Sequence, residues 1–231
     1  MNVTEHSGNI FNSQAQTVVV TVNCVGYMGK GMALECALRY PNVEKEYKTL
    51  CESGRLAIGV LQWIQLPSGN HLVLFPTKDD YKFPSKYSYI EAGLNRLAKE
   101  CLSKGVSSIA VPRLGSELGG LDWDRVRPMI LSSLEGLEID LELWAFGSQI
   151  GDPLMTSLTN RLSNNPDNAM RSTGVNLDQI EALISLIGRS ASATAVDLLS
   201  IQGLGKTKIK KLIQWAQDSQ AQPEPTLFDL T

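Results

Sequence analysis

Two short apolar runs decide what this chain can fold into. Gln16–Val22 reads QTVVVTV and Ser108–Val111 reads SIAV, both too short for a helix. Such β-branched, uninterrupted runs predict strands covered on both faces. Each ends in a glycine-rich loop, Gly26-Tyr-Met-Gly29-Lys-Gly31 and Gly115-Ser-Glu-Leu-Gly119-Gly120, and each loop leads into a helical pattern. Ala57–Gln65 and His71–Phe75 predict two further strands joined through Pro67-Ser-Gly-Asn70, and Asp140–Phe146 predicts a last one. Helical spacing covers Met32–Arg39, Pro41 to about Gly54, Ser88–Lys104 and Asp124–Leu134. This alternation predicts an α/β sandwich with helices on both faces of the sheet.

The scarce residues bound the chemistry. Cys24, Cys36, Cys51 and Cys101 form no CxxC pair and have no histidine cluster beside them, which argues against a structural zinc site. Reduced thiols and a cytoplasmic setting follow. His6 and His71 are the whole imidazole supply, and His71 reads as a strand-end surface residue, so lysine, tyrosine or carboxylate must carry most acid–base work. Nothing at residues 1–6 resembles a signal peptide, and no apolar run approaches the ~18–20 residues of a membrane span. The net charge of −3 over 231 residues excludes a protein that coats nucleic acid, though a local basic patch can hide within it.

The expected organisation is an α/β domain over residues 1–147, a linker over 148–174, a small all-α module over 175–218 and a flexible tail over 219–231. The linker reading rests on Asn164-Asn-Pro-Asp-Asn168 and Ser172-Thr-Gly174. Leu177–Ile187, Ala191–Ile201 and Lys206–Gln217 predict the helices of the module.

Ligands of open α/β sheets bind outside the carboxyl ends of the strands, where both glycine loops fall. Their backbone N–H groups and helix N-termini suit phosphate oxygens, which points to a pyrophosphate clamp; tight turns are the plainer reading of either loop alone. Lys78 follows His71–Phe75 through Pro76-Thr77 and reaches the same edge. It reads either as solvated charge or as a nucleophile or proton donor beside a buried sugar. Asp122 reads as the N-cap of the next helix or as a carboxylate facing the ligand.

These residues carry a resemblance. Gly8-Asn9-Ile10, the strand into Asn23, Val25-Gly26-Tyr-Met28-Gly29-Lys30-Gly31-Met-Ala33-Leu34, Phe75-Pro76-Thr77-Lys78 and Gly119-Gly120-Leu121-Asp122-Trp123 together resemble a macrodomain. The likeness covers about residues 1–147 and is to the branch of DarG-type DNA ADP-ribosyl glycohydrolases. It implies a three-layer α/β/α fold with a mixed sheet, and an ADP-ribose cleft lined by Asn9, Ile10, Asn23, Gly26, Met28, Gly29, Lys30, Gly31, Thr77, Gly115, Ser116, Glu117, Leu118, Gly119 and Gly120. It further implies catalysis by Lys78 and Asp122, removal of ADP-ribose from thymidine in DNA, and a DNA ADP-ribosyltransferase toxin as the opposing enzyme. ADP-ribose is then ligand and product; no cofactor, metal or membrane is implied. Two departures stand out. Asn9 occupies a position where macrodomains usually carry aspartate, and Glu117 brings a carboxylate toward the phosphates, which Arg113 could offset. A reader of ADP-ribosylated DNA that does not cleave it, or an enzyme acting on ADP-ribosylated protein, are the alternatives.

Ile201-Gln-Gly203-Leu-Gly205-Lys206-Thr-Lys208-Ile-Lys210-Lys211-Leu212 resembles a helix-hairpin-helix. The resemblance implies that Gly203 and Gly205 offer N–H groups to a phosphate of single-stranded DNA while Lys206, Lys208, Lys210 and Lys211 face outward. A winged helix is the rival topology. Glu224-Pro-Thr-Leu227-Phe228 faintly resembles a sliding-clamp peptide.

Overall fold

The computed structural model describes residues 1–147, 151–190 and 192–218. The tail and its clamp-like peptide lie outside the described residues. The chain divides into two compact units, 1–150 and 151–231.

Unit 1 is a six-stranded mixed sheet between two helical layers. The strands are β1 (Asn2–Ser7), β2 (Thr17–Asn23), β3 (Gln62–Gln65), β4 (His71–Lys78), β5 (Ser108–Pro112) and β6 (Asp140–Ala145), in the spatial order β1-β6-β5-β2-β4-β3. All pairs are parallel except β3 with β4. Successive side chains of a strand face opposite layers, and β2 shows this directly. Val18, Val20 and Val22 pack in the core under α1 (Gly31–Arg39) and α2 (Pro41–Glu52). Val19 packs in the other core, under α3 (Tyr87–Lys104) and α4 (Trp123–Leu134). The expected sandwich is therefore the observed one.

Several local expectations are corrected. β1 is a strand where none was expected: it is an edge strand pairing only with β6, so Asn2, Thr4 and Glu5 stay exposed and no apolar alternation marks it. The strand expected over Ala57–Gln65 is confined to Gln62–Gln65, because Gly59 (φ +80°) and the Val60 N–H to Ala57 carbonyl bond turn the chain first. In contrast, β4 runs past Phe75 through Pro76 to Lys78. Proline cannot donate to a ladder, and the register shifts between Val22 and Asn23, which sets Asn23 opposite Lys78.

Unit 2 is helical. The expected linker instead holds α5 (Pro153–Asn164) and α6 (Pro166–Thr173), followed by α7 (Leu177–Arg189) and α8 (Lys206–Gln217). The residues that read as linker fall at helix ends: Asn164 closes α5, Pro166 opens α6 in its first turn, Ser172 lies in its last turn and Gly174 caps it, while Asp152 caps α5 through its bond from Leu154 N–H ahead of Pro153. Met155, Leu158 and Leu162 are buried at spacings of three and four, and Arg161 donates to the Ala216 and Asp218 carbonyls at the end of α8. Over the described part of Ala191–Ile201 the only helix is a 3-10 turn at Asp197–Ser200. No strand occurs among the described residues of unit 2, so the wing of a winged helix is missing there.

Candidate active site

The carboxyl ends of β1, β2, β4, β5 and β6 share one edge of the sheet, and all the candidates of unit 1 follow them. His71 begins β4 and Lys78 ends it, so the histidine lies roughly 23 Å away at ~3.3 Å per residue.

The first glycine loop is built on Asn23. Its Oδ1 accepts the N–H groups of Val25 (3.0 Å) and Tyr27 (3.3 Å) and the Tyr47 hydroxyl (2.8 Å), while its Nδ2 donates to the Tyr27 carbonyl (2.7 Å). Asn23 thus organises the loop, and Met28, 2% exposed, pins it into the core. Ile10 and Thr77 are likewise buried, so any contribution they make is to the wall of the cleft. Tyr27 folds over Gly29, where a Cβ would stand 2.2 Å from the ring. Lys30 precedes α1 without capping it by a side chain, which leaves a helix N-terminus open to an anion. By contrast, the start of α4 is closed by Asp122, whose carboxylate accepts the Asp124 N–H at 3.0 Å.

The second loop is locked from below. Ser85 N–H donates to the Gly119 carbonyl (3.0 Å), and Leu121 N–H to the Gly115 carbonyl (2.9 Å). A Cβ on Gly119 would stand 2.2 Å from that same Gly115 oxygen and 2.4 Å from Ser85 Oγ, so only glycine fits. Gly115 (φ +65°) and Gly120 (φ +78°) take left-handed conformations that glycine alone adopts cheaply. Ser116 donates to the Leu114 carbonyl at 3.3 Å. Among the described residues, no hydrogen bond within the protein occupies the Leu118 and Gly119 N–H groups, which leaves both as donors for a ligand. The two loops approach each other where a Cβ on Gly31 would lie 3.1 Å from Leu118 Cδ1.

Lys78 Nζ donates to the Leu118 carbonyl at 2.7 Å. It joins the end of β4 to the second loop. No hydrogen bond or ion pair among the described residues joins Lys78 to Asp122. Glu117 accepts the Phe146 N–H (3.3 Å), which turns its carboxylate toward the end of β6. The expected compensation by Arg113 is corrected: that guanidinium stacks over Trp123, 5.2 Å from the ring centre.

Asn9 also gains a physical reason. Its Nδ2 donates to Glu35 Oε1 (3.2 Å), its Oδ1 accepts the Phe11 N–H (3.2 Å), and Glu35 pairs with Arg39 at 2.7 Å, both almost fully buried. An aspartate at this position would set a second carboxylate against Glu35, and like charges at that separation repel strongly where water is excluded. Sequence reasoning missed Glu35 and Arg39, although their i, i+4 spacing on a helix was a visible signal.

Burial raises all four thiols of unit 1. Burial first, then the Asp79 carboxylate and Cys51, push Cys24 up to about 12 from 9.0. Burial and then Glu100 push Cys101 up to about 11, and burial also raises Cys36, Cys51 and the Tyr47 phenol. A folded-state value above the unfolded one adds stability that is complete below the unfolded value and lost as pH rises. The midpoint of urea unfolding should therefore hold to about pH 9 and fall above it. Alkylation of the folded protein at pH 8 should run at least about tenfold slower than in urea, because only thiolate reacts; equal rates would refute the burial.

In unit 2, Gly203 (φ +76°) makes the turn and Gly205 precedes α8, with Leu204 buried between them. Gln179 ties α7 to this turn by donating to the Gln202 carbonyl (3.3 Å), and it accepts Lys208 Nζ (3.2 Å). The outward placement of the lysines is corrected to that extent: Lys206 and Lys211 are exposed, whereas Lys208 and Lys210 are half-buried.

The Macro domain profile matches residues 19–130. A DNA ADP-ribosyl glycohydrolase of Mycobacterium tuberculosis is 40% identical over 138 residues, covering 58% of this chain and 39% of that protein. The chain thus spans well under half of that relative's length. Among solved structures, the macrodomain of Mycobacterium tuberculosis DarG superposes with a TM-score of 0.60 at 37% identity, over 62% of this chain and 96% of that one. Thermosipho africanus DarTG in complex with ADP-ribose gives a TM-score of 0.60 at 32% identity, over 66% of this chain and 43% of that one. With this sheet order, its paired glycine loops and these likenesses, the chain belongs to the macrodomain family, and its first unit is similar to the DarG macrodomains.

Proposed function

We propose that the chain is an ADP-ribosyl glycohydrolase that frees ADP-ribose from a modified base of DNA, thymidine in single-stranded DNA being the substrate. The observation that carries this reading is the Lys78 amine, held on the Leu118 carbonyl between two loops suited to a pyrophosphate. Once its ammonium has given up a proton to solvent, the lysine keeps one N–H on that carbonyl while its lone pair adds to the anomeric carbon of the distal ribose. The bond from that carbon to the base nitrogen breaks, and the base takes up a proton. The glycosylamine opens to an imine as its N–H proton moves to the ring oxygen; water then releases ADP-ribose and restores the lysine. The loops supply orientation, which is worth several kcal/mol in such sites. Asp122 contributes through the helix that it caps and the loop that it ends.

Such a substrate must be made by a DNA ADP-ribosyltransferase, so an opposing transferase is the partner that this chemistry implies. The hairpin of unit 2 supports a second hold on the strand, with Gly203 and Gly205 as N–H donors and Lys206, Lys208 and Lys210 as nearby charge. The test is incubation of the full chain with thymidine-ADP-ribosylated single-stranded DNA and, separately, with ADP-ribosylated protein. Free ADP-ribose is expected from the DNA alone. Binding without release would make the protein a reader, and release from protein alone would reassign the substrate.

A further inference from the structure

Beyond Lys78 the chain makes a turn that bridges both glycine loops. At its start the Asp79 carbonyl accepts the Cys24 N–H (3.0 Å), and at its end Ser85 N–H holds the Gly119 carbonyl (3.0 Å). Within it, Asp80 accepts the Lys82 N–H on its carboxylate (2.9 Å) and the Phe83 N–H on its carbonyl (3.2 Å). This tether lifts large rings into water: Tyr81 is 44% exposed and Phe83 65%. Tyr27 of the first loop, 49% exposed, meets Tyr81 with ring centres 4.6 Å apart and planes tilted by 45°. Burial of such rings is the rule, so several exposed together beside a candidate site mark a contact surface.

Two cations lie against rings of this surface. Lys82 Nζ lies 5.7 Å from the Tyr81 ring centre, and Lys86 Nζ lies 5.2 Å from that of Tyr89. Of the two acids in the turn, Asp80 is engaged by a backbone N–H and Asp79 stands at the foot. Rings interleaved with cations are what unpaired bases require, since a base in a duplex is already stacked and offers no free face.

We propose that Tyr81 and Phe83, with Tyr27 behind them and Lys82 and Lys86 beside them, form a stacking platform for single-stranded DNA on unit 1 itself, receiving the bases that flank a nucleotide held at Lys78. The platform rests on the nucleic-acid reading above and adds a surface to it. It explains why the turn is tied at both ends, because a fixed platform loses less entropy on binding.

The test uses the full chain and an oligothymidine of roughly twelve nucleotides that carries no ADP-ribose. Y81A and F83A should each weaken binding at least about fivefold, whereas F83W should retain it. The salt dependence should stay as in the wild type, since no cation is removed. Ultraviolet cross-linking should attach thymine to the peptide spanning residues 79–89, and affinity for free ADP-ribose should not change. Unchanged oligonucleotide affinity, or cross-links confined to residues 203–211, would overturn the platform. A parallel fall in ADP-ribose affinity would also overturn it, by placing the rings in the nucleotide cleft. Because the probe lacks ADP-ribose, the platform and the glycohydrolase reading can fail independently.

Discussion

Replacing Lys78 by alanine should lower ADP-ribose release from ADP-ribosylated DNA by at least about 10³-fold, while ADP-ribose still binds within about threefold. Loss of rate without loss of affinity is the signature of a group needed only as the bond breaks. The side chain ends on the Leu118 carbonyl, so K78A removes one hydrogen bond to the second loop but leaves the Ser85–Gly119 and Leu121–Gly115 bonds that shape it. K78R should be as inactive as K78A, because a guanidinium remains charged and offers no nucleophilic lone pair. Borohydride added during turnover should trap a covalent adduct on the Lys78 peptide of the wild type alone. An active K78A protein, or full activity without a trappable adduct, would remove lysine from the mechanism.

The largest expected loss of stability lies at Arg39, away from the reacting atoms. Glu35 and Arg39 are 5% and 4% exposed and 2.7 Å apart, and Arg39 also lies over the Phe11 ring at 5.5 Å. R39A leaves the Glu35 carboxylate buried without its cation, a change that costs about 3–5 kcal/mol in comparable pairs. The urea midpoint should fall accordingly while the slope of the transition stays unchanged. Replacing both residues by methionine should recover most of the loss, because desolvation of the two ions disappears together with their attraction. A single variant as stable as the double one would show that the pair is not coupled. Since Asn9 donates to Glu35, R39A should also disturb the end of the cleft beyond β1.

Much of the sandwich was legible because its signals are local. The β-branched runs of β2 and β5, the proline that opens α2 and the left-handed glycine ending α3 at Gly105 act within a few residues of themselves. β1 was illegible because an edge strand without an apolar face carries no such signal; its evidence is the ladder to β6, about 140 residues away. Proline and asparagine hid α5 and α6, since the same residues open a helix or fill a linker according to what the next turn buries.

The amino-acid sequence alone determined the alternation of strands and helices, the two glycine loops at strand ends and the resemblance that they carry. Only the tertiary structure decided which groups meet. It turned β4 through Pro76 so that Lys78 faces Asn23, and brought the lysine to a carbonyl forty residues on. It spent Asp122 on a helix cap and Arg113 on Trp123, set Glu35 against Asn9, and raised Tyr81 and Phe83 on a turn tied to both loops. The physical reason is one of range. Propensity and periodicity act over a few residues, whereas these contacts join side chains and carbonyls far apart in the chain and exist only once the packed sheet holds both partners in place.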